Sequence, residues 1–70
     1  MLMEKNILPL AAMERLLKKY GAERVSEDAK EELREVLEDV AEQVTQEAVK
    51  FAAHAHRKTI RSSDVKLASK

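Results

Sequence analysis

From Ser26 onward no glycine or proline interrupts the chain. Within that stretch Ala29, Leu33, Val36, Leu37, Val40, Val44, Ala48, Phe51, Ala52 and Ala55 recur at spacings of three and four, which is helical periodicity. Ser26 suits the N-cap, with Glu27 and Asp28 against the positive end of the dipole, and the helix is expected to end near His56-Arg57. The pattern predicts about 29 helical residues, or roughly 43 Å, far beyond the mean globular helix. A 70-residue chain has too little left over to cover so long an apolar stripe. The long helix is therefore expected to cross a copy of itself.

The flanks are short. Pro9, the only proline, suits a first helical turn, where its missing N–H is not needed. Leu10, Met13, Leu16, Leu17 and Tyr20 follow at helical spacing, and Gly21, the only glycine, supplies the stop. This predicts a helix from about Leu8 to Lys19. Arg24-Val25-Ser26 reads as an extended link, as does Lys58-Thr59-Ile60 with its β character. Ser62 or Ser63 is expected to cap a last helix through Val65, Leu67 and Ala68. With no internal repeat and no long linker, one all-α domain over residues 8–70 is expected, preceded by an N-terminal arm, 1–7.

Composition narrows the ways such a chain can become stable. There is one Phe, one Tyr and no Trp, and so small a domain struggles to build a sufficient core alone. The absence of cysteine removes disulfides and thiolate metal sites, which leaves oligomerisation. No run approaches the roughly 18 apolar residues of a membrane span, and Met1-Leu2-Met3-Glu4-Lys5 does not open a secretory signal. A soluble, intracellular protein with no membrane partner is expected. His54 and His56 form a His-x-His pair, but with no cysteine and the carboxylates mainly elsewhere on the helix no metal site is expected. Serines and histidines occur without a nucleophile motif or a glycine-rich phosphate loop. Hence no catalytic residue, cofactor or small-molecule substrate is expected, and the chain does not read as an enzyme.

The charge sum is 13 basic against 13 acidic residues, and it conceals a segregation. Between Glu27 and Ala55 nine acids face three bases, a net −6, so the remainder carries +6. Those cations lie largely in the first helix and the two links: Arg15, Lys18, Lys19 and Arg24, then Arg57, Lys58 and Arg61. Spaced cations of this kind suit phosphates. No aromatic platform for unstacked bases accompanies them, which disfavours single strands as the main ligand.

These features together resemble the histone fold, and specifically the archaeal histones. Gly21-Ala22-Glu23-Arg24-Val25-Ser26 is similar to the family's first loop. His54-Ala55-His56-Arg57-Lys58-Thr59-Ile60, followed by Asp64, is similar to its second loop apart from His56. Pro9 falls at the first-helix proline and Arg15 at the minor-groove arginine. The likeness runs from about Leu8 to Ala68 without a gap.

The resemblance implies a handshake homodimer with crossed long helices, each first loop beside the partner's second. It also implies an architectural protein of the chromosome or nucleoid, cytoplasmic, that binds double-stranded DNA with little sequence preference, bends or wraps it and compacts it. The DNA-binding residues would be Arg15, Lys18, Lys19, Arg24, Lys58, Thr59 and Arg61, with Arg15 entering an inward-facing minor groove. Arg57 and Asp64 would form a structural ion pair tying the second loop to the third helix. Gln43, Phe51 and His54 would lie in a dimer–dimer contact, giving tetramers or larger assemblies on DNA.

The chain departs from the family's pattern in places. Gln43 stands where the family has an acid, so its bond to His54 becomes a neutral one, roughly half as strong. His56 stands where a glycine is usual, so its backbone must tolerate or avoid positive φ. The acidic face holding Glu35, Asp39 and Glu42 lacks the cations that would let neighbouring wraps of a fibre attract, and Ser69-Lys70 adds no basic tail. Arg15, Lys18 and Lys19 would also serve as the solvated face of a short amphipathic helix, and Arg24 as a loop-packing residue. The alternative function is a heterodimerisation subunit that pairs with a histone paralogue and binds DNA weakly or not at all, in keeping with its neutral total charge.

Overall fold

The computed structural model describes residues 6–70. Of the arm expected over 1–7, residues 1–5 lie outside the described residues. Three helices and no strand occur among the described residues: α1 (Leu10–Lys19), α2 (Glu27–His54) and α3 (Ser62–Ala68). The chain divides into two units, one ending at Asp39 and the other Val40–Lys70, with α2 continuous across the division.

In the first unit α1 starts two residues later than its periodicity suggests. Pro9 is the N-cap, extended at φ −75° and ψ 142°, and its carbonyl accepts from the amides of Ala12 and Met13 at 3.2 and 3.4 Å. Gly21 ends the helix at φ +116°. Its N–H reaches the Lys18 carbonyl at 3.1 Å while that of Ala22 reaches Leu17 at 3.0 Å, a double closure that requires the left-handed residue glycine provides. Ser26 then caps α2, its Oγ accepting from the Ala29 N–H at 3.1 Å.

In the second unit α2 ends at His54, two residues before the expected stop. The closure repeats that of α1: the His56 N–H reaches Ala53 and the Arg57 N–H reaches Ala52, both at 2.9 Å. His56 therefore occupies the left-handed position, at φ +60°. Histidine adopts this region more readily than most side chains, yet a Cβ there still costs about 1 kcal/mol. Replacing His56 with glycine is expected to stabilise the fold by up to about 1 kcal/mol after glycine's larger unfolded-state entropy is set against it. A raised midpoint in urea titration, at unchanged slope, is the check.

Neither Ser62 nor Ser63 caps α3. Arg61 takes that position, because the Asp64 carboxylate reaches back to the Arg61 N–H at 2.8 Å and so fixes the start of the helix ahead of both serines. A guanidinium cannot accept a hydrogen bond, so this cap is one-sided.

Burial is sparse. Among the described residues the buried apolar side chains are Met13, Ala48 and Ala52, while Val36, Val40, Val49, Val65 and Leu67 are all more than two-fifths exposed. No large side chain among the described residues is fully enclosed.

Candidate nucleic-acid interface

The cations of the first unit sit on and just after α1. Arg15, Lys18 and Lys19 are exposed, and Arg15 and Lys19, one turn apart, line a shallow recess with Ala12 and Leu16. Lys19 Nζ lies 5.7 Å from the centroid of the exposed Tyr20 ring, a cation–π distance. No side chain caps the N-terminus of α1, and its first turn holds no acid. Arg24 is exposed in the link to α2.

Lys18 is engaged. Its Nζ lies 3.0 Å from Glu14, whose other oxygen meets Lys30 Nζ at 3.2 Å. Lys30 also contacts Glu27 at 2.6 Å. The hydrogen bond from Lys18, then that from Lys30, holds the Glu14 carboxyl below its usual range, and the bond to Glu27 leads the causes that raise Lys30. A second contact gathers the chain ahead of α1: the Glu38 carboxylate accepts from the N–H groups of Asn6 and Leu8, both at 2.8 Å. The Leu8 bond is the largest cause lowering the Glu38 carboxyl. The Glu14–Lys30 bond and the two bonds to Glu38 join residues 16 to 32 positions apart, and no local pattern in the sequence announces them.

In the second unit Lys58, Thr59 and Arg61 are exposed on the segment between α2 and α3. That segment is shaped by the side chains beneath it. The Arg57 guanidinium donates twice to Asp64, at 2.9 Å for each bond, and once to the Thr59 carbonyl at 2.9 Å. The Asp64 side chain is only 5% exposed. Arg57 first, and the Arg61 amide second, lower its carboxyl to about 2. With the Thr59 carbonyl turned to Arg57 and the Arg61 amide to Asp64, the neighbouring Lys58 side chain is left to solvent.

The structure thus brings Arg15 with Lys19, and Lys58 with Thr59 and Arg61, each group within its own unit. Gln43 and His54 are exposed on α2 and Phe51 is half-buried. On the stretch of α2 in the first unit Glu31, Arg34, Glu35, Glu38 and Asp39 line, with Asn6, a recess dominated by carboxylates, so the acidic segment is also an acidic surface. No described helix is long and apolar enough to cross a membrane.

Comparison with known proteins gives concordant matches. The family model described as histone-like transcription factor (CBF/NF-Y) and archaeal histone matches residues 6–68. One of the archaeal histone HAN1 subunits, from Thermococcus zilligii, is 54% identical over 63 residues, spanning 90% of this chain and 94% of its own length. Probable archaeal histone 3 of Methanocaldococcus jannaschii is 48% identical over 61 residues, spanning 87% and 91%.

Proposed function

The chain belongs to the family of histone-like transcription factors and archaeal histones and has the all-α histone fold, and from that premise we propose an architectural, nucleoid-associated protein that binds, bends and compacts double-stranded DNA as a handshake homodimer. The observation that carries this reading is the exposure of every proposed contact residue, Arg15, Lys18, Lys19, Arg24, Lys58, Thr59 and Arg61, on the first helix and the two links, while the acids concentrate on α2. Dimerisation doubles these cations. Phosphates take Lys18, Lys19 and Lys58 as point charges, and Arg15 enters a narrowed minor groove. Gln43, Phe51 and His54 form a weak, neutral contact between dimers, so assemblies on DNA stay short.

Gel shifts on random-sequence duplex across a salt series test the proposal. Log affinity should fall linearly with log salt. Lys58→Ala should lower affinity evenly across sequences and flatten the slope by about 0.9 for each phosphate no longer neutralised. Arg15→Ala should reduce bending and any A·T preference. Wild-type affinity and slope in both variants would remove these residues from the interface.

A second reading has one observation in its favour. The Thermococcus relative is itself named as one subunit of a histone, which suits a chain that pairs with a histone paralogue. Purified alone, such a chain would fail to sediment as a stable dimer and would fold only on mixing with that paralogue.

A further inference from the structure

We propose that Glu14 is a built-in competitor of DNA, holding Lys18 in an internal ion pair that a phosphate must displace. The inference rests on the DNA-binding reading above and names a residue that sets its strength. Glu14 directly precedes Arg15 on α1, so its carboxylate stands within the cationic patch. One oxygen lies 3.0 Å from Lys18 Nζ and the other 3.2 Å from Lys30 Nζ.

The two lysines differ in what they can give to a ligand. Lys30 has an 11% exposed side chain and a second carboxylate, Glu27, at 2.6 Å, so it is a fixed structural cation linking α1 to the first turn of α2. Lys18 is 51% exposed and has no acid but Glu14 among the described residues. A phosphate arriving at α1 can therefore draw Lys18 away while Glu14 keeps Lys30. In the free protein the carboxylate occupies the place of the phosphate, and it stays behind as a like charge beside the bound backbone. Both effects weaken DNA binding, and only the first acts through Lys18. An exposed pair of this kind is modest in strength, which suits a residue that tunes affinity without abolishing it.

Glu14→Gln removes the charge and leaves a carbonyl oxygen to accept from Lys30. The test is a double-mutant cycle of Glu14→Gln and Lys18→Ala, read by gel shift on random-sequence duplex over a salt series, with thermal melts of each variant alongside. Glu14→Gln alone should tighten binding about three- to tenfold at low salt and steepen the salt slope, since freed Lys18 releases counterions in full. In the Lys18→Ala background most of that gain should vanish. An equal gain with and without Lys18 would overturn the competitor, leaving only repulsion between Glu14 and the phosphates. Weaker binding in Glu14→Gln together with a lowered melting temperature would overturn it too, making Glu14 purely structural. Absence of binding by wild type and every variant would instead overturn the DNA-binding reading on which the inference rests.

Discussion

Val40→Glu is expected to leave the purified chain largely unfolded at micromolar concentration. The midpoint of α2, a 28-residue helix, falls beside Val40, which continues the stripe through Leu33, Val36, Leu37 and Val44 and is 54% exposed in the single chain. If the chain folded alone, a glutamate at so exposed a position would change stability by no more than about 0.5 kcal/mol. If two long helices cross at their midpoints, each dimer loses two buried valines, worth about 1.5–2 kcal/mol apiece. It must also bury two unpaired carboxylates, at several kcal/mol each by an order-of-magnitude count. That approaches the whole stability of a small protein, about 5–15 kcal/mol. Circular dichroism and sedimentation separate the cases. A sharp melting transition from a monomeric Val40→Glu protein would overturn the handshake. Wild type should melt at a temperature that rises with concentration.

The dimer expectation was legible because it needs only arithmetic. A stripe of ten apolar residues on a helix without glycine or proline outruns what a 70-residue chain can cover, and among the described residues the buried apolar side chains, Met13, Ala48 and Ala52, are small or flexible. Helix ends were legible to within two residues wherever the signal was local, as with Gly21 and Ser26. At α3 it is the cap that shifts, by one residue from Ser62 to Arg61, because the Asp64 carboxylate takes the Arg61 amide. Glu38 taking the amides of Asn6 and Leu8 was beyond sequence reasoning altogether, because it spans 30 and 32 positions and any of several acids on α2 could have done it. The Glu14–Lys30 bond was hidden for the same reason. The DNA-contact residues stand differently: their spacing points to phosphate, and the exposure of all seven is what that reading requires.

Stability below pH 4 is expected to depend on Asp64 more than on any other group, and Asp64→Asn should remove most of that dependence. The carboxylate of Asp64 titrates at about 2 in the folded chain against an ordinary value of 3.8, because Arg57 grips both its oxygens and the Arg61 amide adds a further bond. A depressed folded value means that the unfolded chain binds the proton first. The stabilisation is therefore complete above about 4 and drains away as pH falls from there through about 2. Glu14 and Glu38 are lowered from 4.5 by Lys18 and by the Leu8 amide respectively, so they act in the same sense. Both lie on more exposed ground, where solvent discounts the effect. At neutral pH Asp64→Asn should lower the melting temperature by on the order of 10 °C, since the amide leaves a half-buried guanidinium without its bidentate partner. Glu47→Gln, which breaks only the exposed pair with Lys50, should change it by about 1 °C or less. Melts from pH 2 to 7 for wild type and both variants give the comparison: the wild-type curve should fall steeply at the acid end, that of Glu47→Gln should follow it, and that of Asp64→Asn should run lower and flatter. The same substitution frees the Thr59 carbonyl from a well-held Arg57, so at temperatures where the variant is still folded its DNA affinity should drop alongside that of Lys58→Ala. Wild-type acid sensitivity in Asp64→Asn would mean that the loop is held by other contacts.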